Sequence, residues 1–328
     1  MKNSSVTLGI IGCGRWGINH VKTAYGLLGE QLKYVVDANP ASEKKISQIS
    51  SSINFTTDIN QVLNDAEINA VILATPAITH FSIAKECLIR KKNVLVEKPI
   101  TLYSHEAKEL VELAKANNCK LMVGHVLLYH PAIVELKRLY VQGKIGALQY
   151  IYSNRLNLGA IRSEENSLWS FAPHDVSIIQ YLTETNPVTV DANGASIIQH
   201  GIEDTTITYL SYPNNIHAHI FVSWLHPFKE HRLVVIGSEG MLVFEDSLKD
   251  SKLKLFPKGF HKTERGIEKF EGEFEVIAYE EKQPLAEEHK HFYNCITNNT
   301  TPLTDGEHAL NVLKILEQAT EKLLHHGN

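Results

Sequence analysis

Gly12-Cys13-Gly14-Arg15-Trp16-Gly17, entered from the apolar run Val6-Thr7-Leu8-Gly9-Ile10-Ile11, decides how the first part of this chain folds. A GxGxxG turn between a strand and a helix has a mechanical meaning. Its first glycine permits the tight turn, its second lets backbone approach a pyrophosphate, and its third lets the helix pack close to the sheet. The helix expected next, over residues 15–28, turns its N-terminal N–H groups toward phosphate. Gly12, Gly14, Arg15, Trp16 and Gly17 are therefore candidate dinucleotide contacts.

Working outward, the next strand-like run ends in Asp37. A carboxylate there accepts hydrogen bonds from the adenosine ribose hydroxyls and repels a 2'-phosphate. Ala38-Asn39-Pro40 follows with no arginine to hold that phosphate, so NAD is the expected cofactor in preference to NADP. The alternative is an aspartate that merely ends a strand. Ala74-Thr75-Pro76 ends a further strand on the side where ligands bind in doubly wound sheets. Thr75, Pro76 and His80 are expected along the dinucleotide, His80 having the alternative of a helix-start residue with no ligand.

Apolar runs at 7–11, 32–37, 70–75, 93–97 and 120–124 alternate with helical patterns, the signature of an α/β Rossmann domain with a doubly wound parallel sheet. The pattern then changes. A helix is expected over 131–142, with Gly143 at its C-cap, and another after Pro173. Strand-like runs follow at 188–199, 204–212, 216–225, 232–237 and 240–245. The turns Pro213-Asn214-Asn215 and Ser238-Glu239-Gly240 are of hairpin type, so an α+β domain with a large, mainly antiparallel open sheet is expected. Helices over 284–297 and 305–325 complete the reading. The expected division is an NAD-binding domain over 1–124 and a substrate-binding and oligomerisation domain over 125–328, the last helix being free to pack back on the first domain. No Pro- or Ser-rich linker separates them, so close packing around a shared cleft is expected.

With 43% hydrophobic and 21% charged residues in 328, the chain is long enough for two substantial cores. A formal net charge of -5 gives no field that would gather nucleic acid or an acidic membrane surface. Cys13, Cys87, Cys119 and Cys295 are scattered and form no CxxC pair, which fits a reducing cytoplasm. No targeting or transmembrane segment is expected. His217-Ala218-His219 and His289-Lys290-His291 lack the Cys or carboxylate partners of a tetrahedral site, so they read as solvated sheet or helix surface and no metal is expected.

GCGRWGINH at 12–20, ATPAITH at 74–80, VEKPI at 96–100, GHVLLYHPAIVELKRLYVQGKIG at 124–146 and SWLHPFKEHRLVVIGSEG at 223–240 occur in order over nearly the whole chain. Together they resemble the glucose-fructose oxidoreductase, inositol dehydrogenase and rhizopine catabolism (Gfo/Idh/MocA) family. The resemblance implies an NAD-dependent dehydrogenase acting on a sugar CH–OH group. It implies that Glu97 and Lys98 lie at the cofactor, that Lys98 reaches the substrate oxygen, and that the Lys98-Pro99 bond is cis. An ammonium beside a reacting oxygen stabilises developing alkoxide charge. Family members often carry DxGxH in the second domain with the histidine as acid/base, and here that segment reads Ser170-Phe171-Ala172-Pro173-His174. The histidine is kept, while Ser170 and Ser177 stand where aspartates are often found. The alternative for His174 is a helix N-terminal histidine that caps or packs.

The stretch from Ser153 to Arg162, with Asn166-Ser167-Leu168-Trp169, resembles a branch of the family that oxidises C3 of nucleotide-linked amino sugars such as UDP-N-acetylglucosamine or its glucuronic acid form. That branch supplies a 3-keto sugar to a PLP aminotransferase on the way to lipopolysaccharide. Arg155 and Arg162 offer forks for a diphosphate, Asn157 a partner for a hydroxyl or acetamido group, and Trp169 or Tyr129 a ring to stack on a sugar. Arg155 has the alternative of pairing with a sheet neighbour, and Trp169 that of core. Family members often pair second-domain sheets, so a homodimer or homotetramer is expected. Free-sugar or inositol oxidation, and a non-catalytic NAD(P)-sensing regulator on the same fold, are the competing functions.

Overall fold

The structure is a computed structural model and describes residues 6–326. By internal packing the described chain divides into two compact units, residues 6–129 with 282–313 and residues 130–281 with 314–326.

In the first unit β1 (Leu8–Ile11), α1 (Gly17–Leu28), β2 (Leu32–Val36), α2 (Glu43–Ser47), β3 (Asn54–Thr56), α3 (Asn60–Leu63), β4 (Ala70–Leu73), α4 (His80–Ile89), β5 (Asn93–Glu97), α5 (Ser104–Ala116) and β6 (Leu121–Gly124) follow in order. Among the described residues these six strands form one all-parallel sheet in the order β3-β2-β1-β4-β5-β6. The order reverses at β1, so the crevice beyond the carboxyl ends of β1 and β4 is where a dinucleotide binds in this architecture. Every residue of β1 and β4 is buried, as strands covered on both faces require. The first helix starts at Gly17, two residues later than the expected Arg15. Arg15 and Trp16 thus belong to the turn, with Ile18 N–H bonded to Gly14 O at 3.1 Å.

The second unit begins with α6 (Pro131–Val141), β7 (Leu148–Leu158) and α7 (Ser167–Thr183). The strands β8 (Thr189–Ala195), β9 (Thr205–Tyr212), β10 (Ile216–Ser223), β11 (Leu225–Gly237), β12 (Met241–Glu245), β13 (Leu253–Phe256), β14 (Lys258–Thr263), β15 (Gly266–Glu271) and β16 (Glu275–Val276) come next. The large sheet runs β16-β13-β12-β11-β7-β10-β9-β8, and β14 pairs with β15 as a separate hairpin. Both expected hairpin turns are present, the first with Asn214 and Asn215 at positive φ, a region asparagine tolerates. The sheet is nevertheless mixed, because β10 lies parallel to β7. Turn residues report on the strands they join and carry no information on a pairing made across a long connection.

The helix α7 was expected after Pro173, yet it starts at Ser167 and holds Pro173 inside it. Asn166 is the reason: its side chain accepts the Trp169 N–H at 3.2 Å and caps the helix before the proline is reached. Along β9 buried residues alternate with exposed ones, and the buried face, including Leu210 and Tyr212, meets α7. On the opposite face Ile207 and Tyr209 stay exposed.

α8 (Pro284–Asn298) packs on α1 within the first unit, and α9 (Gly306–His326) ends the described chain. Thr304 extends the edge of β6: Val123 N–H donates to Thr304 O at 2.8 Å, and Thr304 Oγ1 to Val123 O at 2.7 Å. No helix among the described residues is long and apolar enough to cross a membrane. Burial pushes the thiols of Cys13 and Cys87 up, to about 11 and about 12, so neither is a thiolate near neutral pH.

Candidate active site

The glycine turn is built by exclusion. Gly12 has φ +94°, and a Cβ there would lie 2.6 Å from the Ala74 backbone; a Cβ on Gly17 would lie 2.2 Å from Gly12 O. Gly14 is different: a Cβ there would meet nothing within 4 Å, so its backbone faces open space. At the end of β2, Asp37 accepts the Cys13 N–H on Oδ2 at 2.8 Å and the Asn39 N–H on Oδ1 at 2.9 Å. Partial burial alone would raise its pKa, but these two N–H donors together with the side chains of Cys13 and Ser42 outweigh it and hold the carboxyl below its ordinary value. A packed glycine cradle, an open approach at Gly14 and a fixed carboxylate fit the pyrophosphate and ribose of NAD.

At the ends of β4 and β5, Thr79 Oγ1 lies 2.8 Å from Thr75 Oγ1 and from Pro76 O. His80, expected along the dinucleotide, is 1% exposed. Its ring nitrogens face Pro99 O at 2.8 Å and Thr75 O at 2.9 Å, so it ties two loops together instead of meeting a ligand. Burial lowers its pKa, and a neutral ring donates to one of those carbonyls. The Lys98-Pro99 bond it supports is cis, as the resemblance implied.

Glu97 is the junction of the first unit. Its Oε1 accepts the Trp16 indole N–H at 2.8 Å and lies 2.8 Å from His20 Nε2, and its Oε2 accepts the Lys98 backbone N–H at 3.1 Å. Gly124 makes room for it, since a Cβ there would lie 2.8 Å from Oε1. Burial alone would raise its pKa, but His20, Trp16 and the Lys98 charge prevail and hold it ionised. Behind it His20 Nδ1 lies 2.8 Å from His289 Nε2, and His289 Nδ1 3.1 Å from Tyr293 Oη. His289, read as solvated surface, is fully buried. It shares one helix face with Phe292 and Tyr293, an i, i+3, i+4 stripe that marks a packed face. Sequence reasoning missed His20 and Tyr293 as well, although the ring of His20 lies one turn along α1 from Gly17.

Tyr129 is also buried, its hydroxyl 3.0 Å from Thr304 Oγ1, and so it is packed rather than offered to a sugar.

In the second unit His174 is half-buried within α7 rather than at its N-terminus. Its neighbour Asp175 is 1% exposed and gripped by Arg155. Arg155 was expected on a diphosphate, with pairing to a sheet neighbour as the alternative; its fork is instead occupied by Asp175 of α7, a helix partner. Arg162 is exposed and meets Glu165 at 2.9 Å. Asn157 Oδ1 is buried with no hydrogen-bond partner among the described residues. Trp169 is half-buried, its indole N–H donating to Thr320 Oγ1 at 2.9 Å. His219 stacks on Tyr152 and His217 on Tyr209 along the large sheet. No cluster of three or more possible metal ligands occurs among the described residues.

Two family models match this chain. An oxidoreductase family model with an NAD-binding Rossmann fold covers residues 6–125, and the C-terminal domain of the same Gfo/Idh/MocA group covers residues 133–243. The scyllo-inositol 2-dehydrogenase (NAD(+)) of Bacillus subtilis is 26% identical over 94% of this chain and 91% of its own length. The UDP-N-acetylglucosamine 3-dehydrogenase of Acidithiobacillus ferrooxidans is 30% identical over 191 residues, 58% of each chain. A solved structure of that name and organism superposes with TM-score 0.85 over 98% of both chains at 24% identity, a likeness of fold.

Proposed function

The chain belongs to the Gfo/Idh/MocA family of NAD-binding oxidoreductases, and from that premise we propose that it oxidises the C3 hydroxyl of a nucleotide-linked amino sugar, UDP-N-acetylglucosamine or its glucuronic acid form. The observation that carries the reading is the position of Lys98. It follows Glu97 at the end of β5, and Glu97 takes the N–H of Trp16 from the glycine turn, so the ammonium stands one residue from a contact to the dinucleotide loop. Bound NAD supplies the hydride acceptor. Lys98 stabilises the oxygen as its proton leaves, and the His174 imidazole takes that proton. Asp37 selects NAD by its fixed negative charge.

For the nucleotide sugar, support comes from the relative named for UDP-N-acetylglucosamine, from the exposed Arg162, and from Asn157, whose buried Oδ1 has no partner among the described residues. The product would be the substrate class of a PLP aminotransferase making 3-amino sugars for surface polysaccharide. The exposed face bearing Ile207 and Tyr209 supports a homodimer or homotetramer. A second reading, inositol or free-sugar oxidation, is favoured by a specific pair of observations. The inositol dehydrogenase relative aligns over nearly the whole chain, and Arg155 is occupied by Asp175 and unavailable to a diphosphate.

The test is NADH formation by purified protein with excess NAD against UDP- and dTDP-sugars and free polyols, with hydroxylamine to trap a ketone. Turnover of UDP-N-acetylglucosamine with an oxime at C3 is expected. Turnover of unsubstituted polyols alone would replace the first reading by the second.

A further inference from the structure

Glu97 does not stand alone in the first unit. Trp16 can only donate to it, so Oε1 already receives one hydrogen when His20 Nε2 approaches at 2.8 Å. Facing an ionised carboxylate, His20 carries its proton on Nε2. In a neutral ring Nδ1 is then an acceptor, and His289 must donate to it from Nε2 at 2.8 Å. That leaves His289 Nδ1 bare, and Tyr293 Oη donates to it at 3.1 Å. With Glu97 ionised and both rings neutral, the chain Tyr293 to His289 to His20 to Glu97 has one consistent direction, and every ring nitrogen is satisfied.

A second carboxyl lies within electrostatic reach. Glu288 precedes His289 on α8, is 0% exposed, and neither of its oxygens has a hydrogen-bond partner among the described residues. Burial opposes ionisation of Glu288 and the charge on Glu97 adds to it, so Glu288 is the group that holds a proton. Donors converge on Glu97 and none on Glu288, which settles the choice.

We propose that His20 and His289 are positioning residues for the NAD site: they fix Glu97 as the ionised member of the Glu97/Glu288 pair and so hold the glycine turn, through Trp16, and the Lys98 backbone in one register. Both imidazoles are fully buried and act through Glu97. Burial lowers the pKa of His289 and raises those of Tyr293 and Glu288, which keeps all three neutral and leaves the charge on Glu97. The charge on Lys98 also lowers the Glu97 pKa, after His20 and Trp16. A chain of this kind polarises cooperatively, so a change at its far end is felt at the carboxylate.

The experiment titrates NAD calorimetrically into the protein without sugar, so it is independent of which substrate is oxidised. His289→Phe keeps the ring but removes both nitrogens, and the NAD dissociation constant is expected to rise about tenfold, while His289→Gln, which restores a donor toward His20, recovers it to within about threefold. Histidine-selective 15N NMR is expected to show His20 and His289 as Nε2–H tautomers in the parent and a shifted His20 Nε2–H resonance in Tyr293→Phe. That variant removes one hydroxyl and tests the chain even where His289→Phe does not fold. Equal weakening by Phe and Gln would reduce His289 to packing and overturn the proposal. So would unchanged NAD affinity in His289→Phe, or an unmoved His20 resonance in Tyr293→Phe.

Discussion

Arg155 grips Asp175 through two parallel hydrogen bonds, Nε to Oδ2 at 2.8 Å and Nη2 to Oδ1 at 2.9 Å, and Ser153 Oγ adds a third to Oδ1 at 2.6 Å. The pair joins β7 to α7 one residue from His174, and so sets the depth and rotation of the helix that carries the proposed base. Burial opposes the charge on Arg155, but Asp175 more than restores it and holds the guanidinium protonated. Removing one partner strands the other charge. Asp175→Ala is therefore expected to cost about 3–5 kcal/mol in urea denaturation, whereas Arg155→Met with Asp175→Leu recovers most of that loss. A single variant as stable as the parent would contradict this.

The three glycines of the turn separate structural from ligand-facing roles. Gly17 and Gly12 are walled by backbone, so Gly17→Ala is expected to lower both the thermal midpoint and NAD affinity. Gly14 faces open space, and Gly14→Ala is expected to leave the midpoint within about 2 °C while weakening NAD binding at least about tenfold. Calorimetric melting and NAD titration on the same preparations read both. Parallel losses in the two variants would show that Gly14 is structural too.

The parallel sheet was legible in five of its six strands because each of these is a short apolar run closed by a turn signal, and the fingerprint fixed where the order reverses; the edge strand β3, Asn54-Phe55-Thr56, has no such run and was not read. Asp37 was legible for the same reason, lying at a strand end in a known register with Gly12. The features that were not legible are those made across distance. His20 and His289 are 269 positions apart, and nothing local to either announces the other. Arg155 and Asp175 meet only because β7 and α7 pack, which turned a proposed ligand fork into an internal ion pair. Pro173 reads as a helix start by propensity, and the cap at Asn166 overrides it. The parallel pairing of β7 with β10 follows from no turn at all.

Glu288 gives a prediction on stability and pH. Burial first, and then the charge on Glu97, raise its pKa well above the ordinary glutamate value of 4.5. Above that value the folded chain holds a proton that the unfolded chain has released, so this group's contribution to stability falls as pH rises. Glu288→Gln has no such proton. Its thermal midpoint is expected to match the parent near about pH 4 and to exceed it increasingly toward about pH 7. A constant offset between the two curves would mean that Glu288 does not titrate differently in the two states.

Lys98 and His174 are expected to fail in different ways, and the difference tests their roles on whichever sugar the substrate panel identifies. Lys98→Ala removes a fixed positive charge from the developing alkoxide, so kcat is expected to fall by about two to three orders of magnitude with NAD affinity within about threefold of the parent. Lys98→Arg keeps a charge but not a compact ammonium, and recovers part of that loss. His174→Asn removes the proton acceptor, with an expected loss of about 100-fold to 10,000-fold and disappearance of the acid limb of the pH–rate profile, since the group whose deprotonation made that limb is gone. Retention of parental turnover by Lys98→Ala would end the catalytic assignment of Lys98. An unchanged acid limb in His174→Asn would move the proton transfer to another residue, because a group that only positions substrate alters KM without erasing a titration.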